Sequence, residues 1–158
     1  DLEPFTHTGV LASTSLNDSV NVSFGLANAF DSTGGLHNDT IAGEGNFAYL
    51  TGLEVTVPDS LGFLAGSTVY IGYVSGAGAG ADNDDEDKLF YVGGSISSPI
   101  EGISLGIAYD DREYGSGVAD ADAVALYAVW DLGEGVSLAG RYDTLDNGSD
   151  TKIGRAHV

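Results

Sequence analysis

VNVSFGLA, at residues 20–27, alternates large apolar side chains with small or polar ones. ISLGIAYD (103–110) has the same alternation, and VSLAGRYD (136–143) follows it closely. Successive side chains of a β-strand point to opposite faces of its sheet, so alternation with period two is typical of a strand with one apolar and one polar face. Helical spacing fits none of these stretches as well, and the sequence therefore predicts β-strands here.

The same pattern predicts eight strands along the chain. Each has about the 9–11 residues that a tilted strand needs to cross a bilayer. They lie at about Phe5 to Leu16, Ser19 to Phe30, Asn46 to Val57, Gly66 to Ser75, Lys88 to Ser98, Gly102 to Arg112, Ala121 to Asp131, and Gly135 to Thr144.

The connections between these strands alternate in length. Short turns are expected at 17–19, 99–101 and 132–134, and long polar loops at 31–45, 76–87 and 113–120. The stretch 58–65 breaks the rule, since it should be a short turn. Short turns at one end and long loops at the other are how outer-membrane barrels are built. We therefore predict an all-β, antiparallel up-and-down meander, part of a transmembrane β-barrel, with about eight strands of an incomplete barrel.

Composition narrows the class of protein. The 24 glycines disfavour a helical protein and suit strands and turns. The formal net charge of −19 disfavours nucleic-acid binding, which needs clustered Lys and Arg. Cysteine is absent, which excludes disulfides and thiolate metal sites. No elbow motif, phosphate loop or HExxH string occurs, so no enzyme is predicted.

The two ends of the chain suggest a piece of a longer protein. The chain has neither an initiator Met nor a signal peptide. Its last residues, IGRAHV (153–158), resemble one reading frame of a sequencing-adapter oligonucleotide. We expect residues 1–152 to be barrel and 153–158 to be a non-native tail.

Parity sorts the strand residues into two faces. Charged residues on the polar parity would line the lumen of a barrel: Glu54, Asp110, Arg112 and Arg141, with His7 at the start of a strand. These charges could set ion selectivity, or they could pair with one another and only stabilise the wall. The apolar parity is predicted to face lipid at Val22, Phe24, Leu53, Val55, Ile71, Ile96, Leu105, Ile107, Leu126 and Leu138.

Aromatic residues concentrate toward the predicted long-loop ends, where a membrane interface would carry an aromatic girdle. This group is Phe30, Phe47, Tyr49, Tyr73, Phe90, Tyr91, Tyr109 and Tyr142. Trp130 lies instead near a short turn.

One loop carries the densest charge. Its carboxylates are Asp82, Asp84, Asp85, Glu86 and Asp87. They fail the EF-hand pattern, because its sixth position needs Gly and here holds Asp87. A solvated acidic loop with weak attraction for divalent cations is predicted, and neither a defined metal site nor a cofactor. With acidic neighbours at the same mouth, it predicts a preference for cations.

The segment EPFTHTGVLAS (3–13) resembles a motif of the OmpL-like family of putative bacterial β-barrel porins, the porin-2 group. The turn at 17–19, the strand at 20–26 and NAFD (28–31) also look like that family. The resemblance is close over the first 31 residues and loose beyond them. It implies an outer-membrane channel for small solutes, in proteins longer than this chain, and it brings no catalytic residues.

Two functions follow as expectations. The first is a porin of the cell outer membrane, with lipid and small solutes or ions as partners, and no nucleic acid. The second is a soluble secreted β-sandwich for adhesion or carbohydrate binding, which would pack large side chains between two sheets. The sequence leaves open whether the chain forms a homo-oligomer.

Overall fold

The structure, a computed structural model, describes residues 8–27, 30, 47–77, 86–115, 119–148 and 153–157. These residues form one sheet of nine strands, each paired antiparallel with its neighbours in the sequence. The strands are β1 (Gly9–Asn17), β2 (Val20–Ala27), β3 (Ala48–Thr56), β4 (Thr68–Ala77), β5 (Glu86–Ser97), β6 (Ile103–Glu113), β7 (Ala121–Gly133), β8 (Val136–Asp146) and β9 (Ile153–His157). The predicted antiparallel meander is confirmed.

The predicted strands correspond to β1 to β8, with ends that differ by a few residues. β9 falls in the segment 153–158, and it pairs with β8. Main-chain pairing is tolerant of sequence at the edge of a sheet, so the non-native origin of that segment stays a prediction. Among the described pairings none joins β9 to β1, and the sheet is open.

The ends of the sheet differ as the loop lengths predict. At the short-turn end, Asp18 and Ser19 join β1 to β2, and Glu134 and Gly135 join β7 to β8. The second turn needs positive φ at three successive residues, 80° at Gly133, 53° at Glu134 and 80° at Gly135. Glycine adopts such angles at little cost, which explains the Gly-Glu-Gly string. At the same end a 3-10 helix, Asp59–Leu64, occupies the stretch that broke the alternation.

Cross-strand register assigns every strand residue to one of two faces, because directly paired residues share a face. The pairs Val22–Leu53, Leu53–Ile71 and Ile107–Leu126 illustrate the apolar face. All the residues predicted to face lipid lie on it: Val22, Phe24, Leu53, Val55, Ile71, Ile96, Leu105, Ile107, Leu126 and Leu138. None of them is buried. The predicted sharing of one face is confirmed.

The opposite face, here called the polar face, carries the small buried residues. Ala27, Ala48, Ala108, Ala121 and Ala125 are each at most 7% exposed, and all take the polar parity. Large side chains on the apolar face are exposed instead, for example Leu138 at 54% and Phe24 at 51%. A β-sandwich would bury the large side chains against a second sheet. The exposed apolar face therefore argues against the sandwich alternative.

Phe30 shows that the sheet curls around its polar face. It is 0% exposed and packs in one cluster with Leu89 of β5 and Ala121 of β7. Phe30 lies only three positions beyond the end of β2 at Ala27, a reach of about 10 Å. In a flat sheet β7 would lie about 24 Å from β2, at about 4.8 Å per strand. The contact therefore requires strong curvature, with the polar face on the concave side.

The aromatic prediction is partly wrong. Tyr49, Tyr73 and Phe90 do lie on the apolar face toward the long-loop end, and Trp130 lies on the same face toward the short-turn end. Three members of the predicted girdle lie elsewhere. Phe30 is buried in the cluster on the polar face, Tyr91 takes the polar parity, and Tyr142 pairs with Leu126 near mid-strand. Tyr91 lies two residues from Leu89 on the same strand, so the two side chains share the polar face, as parity alone would have indicated.

Candidate functional site

The predicted pore-lining residues lie together on the polar face. Glu54 lies on β3, Asp110 and Arg112 on β6, and Arg141 on β8. Glu54 shares its register row with Asn21 on one side and Tyr70 on the other. Because the sheet curls around its polar face, all four residues lie on its concave side. Their contact with solutes stays a prediction.

Arg112 is the centre of a buried cluster at the long-loop end. Its Nη2 lies 3.3 Å from Oδ2 of Asp87, and the two side chains are only 11% and 6% exposed. The other carboxylate oxygen of Asp87 accepts a hydrogen bond of 3.0 Å from the main-chain N–H of Gly115. Asp87 thus connects β5 to β6 and to the connection that follows β6.

Two aromatic rings enclose the Arg112 guanidinium. Its central carbon lies 4.8 Å from the ring centre of Phe30 and 4.6 Å from that of Tyr114. Both distances are within the range of an attractive cation–π contact. Stacking and the ion pair together fix the side chain against the wall, so Arg112 offers much less charge to the lumen than its sequence position suggests.

Parity along the sequence predicts the face on which this cluster lies, but not which of its residues meet. Asp87 has the same parity as Leu89, which places both on the polar face, whereas Glu86 takes the apolar parity. Both residues were predicted to belong to an acidic loop, but β5 begins at Glu86. The pairing partner of Asp87 depends on the register between β5 and β6, which parity does not reveal.

A second charged group lies deeper along the wall. Arg141 of β8 pairs with Asp143, two residues further on, at 3.3 Å, and lies 5.2 Å from the ring centre of Tyr127. Tyr127 is the direct cross-strand partner of Arg141. Ala121 is the cross-strand partner of Arg112, and Tyr127 lies six residues further along β7. The distance along the strand between these two levels is about 20 Å. The two arginines therefore stand at different depths.

Carboxylates at the long-loop end divide between the faces. Asp110 takes the polar parity, whereas Asp111, Glu113 and Asp122 lie on the apolar face. Glu113 pairs there with Lys88 at 3.3 Å, and both side chains are well exposed. Therefore only some of the carboxylates predicted at the long-loop end lie on the concave side of the sheet.

The part of the sheet formed by β1 to β5 carries an open cleft of about 570 Å³. Its lining consists of Ser13, Thr14, Ser15, Asn21, Val22, Ser23, Gly52, Leu53, Glu54, Tyr70, Ile71, Gly72 and Tyr91. Short hydroxyl side chains and glycines leave the space that the cleft occupies.

Glycines on the polar face give room to the tyrosine rings. A Cβ added at Gly93 would lie 2.2 Å from the hydroxyl oxygen of Tyr91. A Cβ at Gly106 would lie 3.4 Å from the ring of Tyr127. The rings thus lie along the wall above glycine positions and keep clear of the middle of the lumen. Replacement of these glycines would push the rings inward.

Other predicted residues fall outside the described residues: His7, Asp82, Asp84 and Asp85. Within the described ranges, no group of three or more His, Asp or Glu side chains is arranged to hold a metal ion. In the same ranges no helix is long and apolar enough to cross a membrane.

An antiparallel meander with an exposed apolar convex face and a charged concave face is the wall of a transmembrane β-barrel. Its polar, partly open interior is of the porin type. The family described as putative β-barrel porin-2, OmpL-like, matches residues 1–156, and the chain belongs to this family. No curated protein matches the chain, and no solved structure does.

Proposed function

We propose that the protein is a passive diffusion channel for small hydrophilic solutes and ions in the outer membrane of a Gram-negative bacterium, and that it prefers cations. Family membership supports a channel rather than an enzyme. The apolar face supports contact with lipid, since β6 and β8 have 11 residues each. A strand of that length, tilted by about 45°, spans about 25 Å, the height of the apolar band of such barrels.

The charge balance of the polar face carries the cation preference. Among the described side chains this face holds the carboxylates Glu54, Asp87, Asp110, Asp131 and Asp143, against the guanidinium groups Arg112 and Arg141. Both guanidinium groups are paired with carboxylates on the same face. Three negative charges therefore remain in excess along the wall.

An excess of this size matters in a narrow lumen. Fields of fixed charges extend about 8–10 Å at ordinary salt concentrations. A cleft with walls of low dielectric constant focuses the field and raises the local concentration of counter-ions. Rings and rows of acidic side chains make channels cation-selective for this reason.

The test is the reversal potential of the intact protein in a planar bilayer under a KCl gradient. We expect a cation-selective potential that declines when Glu54→Gln and Asp110→Asn are combined. Asp59→Asn is the control, because Asp59 is exposed in the 3-10 helix at the short-turn end. A clear anion preference at low salt would refute the proposal.

The acidic segment near β5 is tested separately, by neutralising four of its carboxylates and leaving Asp87, the described partner of Arg112, in place. The variant replaces Asp82, Asp84, Asp85 and Glu86 and keeps Asp87. We expect a smaller cation preference and a weaker effect of millimolar Mg²⁺ on the current. An unchanged selectivity would show that the wall alone supplies the charge.

A further inference from the structure

The cleft on the β1–β5 wall has one formal charge. Of the side chains that line it, only Glu54 carries a carboxyl group, and no Lys, Arg or His is among them. Glu54 is half-buried two residues before the end of β3, where the surrounding wall shields it partly from water. The cleft is therefore a hydroxyl-rich surface with a single carboxyl group.

The neighbours of Glu54 define what could bind there. Asn21 and Tyr70 are its direct cross-strand partners, with Cβ atoms about 4.5–5.5 Å away. Tyr91 lies one strand beyond Tyr70 and lines the same cleft. Tyr70 is 41% exposed, so its ring is available to a solute.

A carboxylate beside two tyrosine rings favours a positively charged ligand. The carboxylate accepts a charge-assisted hydrogen bond from an ammonium group, and aromatic ring faces attract cations. A metal cation would use the carboxylate but gain little from the rings, whereas an organic ammonium ion can use both.

The rest of the lining suits a hydroxylated skeleton. Ser13, Ser15 and Ser23 present hydroxyl groups, and Ser15 Oγ already donates a hydrogen bond of 2.6 Å to Asn21 Oδ1. The volume of about 570 Å³ falls within the range of small-molecule sites. Most of the polar lining can exchange hydrogen bonds with ligand hydroxyls.

We propose that this cleft binds small organic ammonium solutes with a hydroxylated skeleton, the class to which amino sugars belong, and that Glu54 holds their ammonium group. The inference rests on the proposed channel function, because it assigns a solute class to the lumen. Binding here is weak and transient, since conduction requires that a solute also leave.

The experiment compares glucosamine with glucose, which differ by the replacement of one hydroxyl with an amine. Each is added to the intact protein in a planar bilayer at about pH 6, where the amine is protonated. Dissociation constants come from the reduction of KCl current, and calorimetry in detergent gives a second measure independent of current. We expect glucosamine to bind at least about tenfold more tightly than glucose, a ratio worth about 1.4 kcal/mol.

Variants locate the binding site. Glu54→Gln keeps the shape of the side chain and should abolish the preference for glucosamine. Asp131→Asn removes an equal charge from the polar face outside the cleft, and Asn can still accept the hydrogen bond from Gly133. It should keep the preference. Tyr70→Leu removes the aromatic ring and should weaken glucosamine binding. Tyr70→Phe keeps the ring and should bind glucosamine as the unmodified protein does.

Equal binding of the two sugars would overturn the inference, as would equal effects of Glu54→Gln and Asp131→Asn. The second result would mean that total lumen charge, and not a local site, attracts the amine. A protein that conducts cations but shows no preference for glucosamine fails this inference alone. A protein that forms no conducting channel fails the proposed function itself.

Discussion

The ion pair between Asp87 and Arg112 should be one of the strongest polar contacts of this sheet. Its partners are 6% and 11% exposed, and their N–O distance is 3.3 Å. Loss of one partner from a buried pair costs about 3–5 kcal/mol, because an uncompensated charge stays behind. Two rings still stack on Arg112 in the Asp87→Asn variant. We therefore expect the low end of that range, about 3 kcal/mol.

A matched control lies one residue away on the same two strands. Lys88 and Glu113 form a pair with the same N–O distance of 3.3 Å, but on the apolar face and with exposed fractions of 40% and 58%. Exposed pairs contribute about 0–1 kcal/mol. The two pairs thus differ in burial and not in distance or in the strands that carry them.

The assay is a double-mutant cycle for each pair in the intact protein. Unfolding by urea in detergent is followed by the fluorescence of Trp130, the only tryptophan in the sequence. For the inner pair the variants are Asp87→Asn, Arg112→Met and both together, with Lys88→Met and Glu113→Gln for the outer pair. The inner coupling energy should exceed the outer one by at least about 1 kcal/mol.

The reasoning is refuted if both cycles give coupling energies below about 1 kcal/mol, because water would then reach the inner pair as freely as the outer pair. The concave packing of Phe30 on the polar face would then be wrong, because that packing is what shields Arg112.

Three further predictions test the two faces and one turn. Trp130 is 49% exposed on the apolar face, so lipids brominated in their acyl chains should quench its fluorescence more than a water-soluble quencher does; the reverse order would contradict lipid contact. Leu126→Arg should destabilise the inserted protein by about 2–4 kcal/mol, whereas Ser95→Arg on the polar face should cost much less, as measured by urea titration in lipid vesicles. Gly102→Ala should destabilise more than Gly66→Ala in the same titration: both glycines have positive φ (79° and 76°), but only at Gly102 would the new Cβ meet a carbonyl oxygen, at 2.6 Å. Equal losses would show that the turn at Gly102 relaxes.

Alternation along the strands determined the two faces, and together with the turn lengths it determined the meander. Side chains of a strand change face at every residue, so parity is read from the sequence without knowledge of any partner strand. This is why Leu53, Ile107 and Leu126 were assigned to the apolar face correctly. Turn lengths were equally local, since a tight antiparallel turn is decided by its own few residues.

The tertiary structure decided which residues meet. Parity placed Asp87 and Arg112 on the polar face, but only the β5–β6 register brings them within 3.3 Å. The sequence predicts a membrane girdle position for Phe30 because it ends a predicted strand beside a long loop, yet the curl of the sheet buries it on the concave side. Curvature sums small twists between many strands. It therefore belongs to the whole sheet, and no single stretch of sequence reveals it.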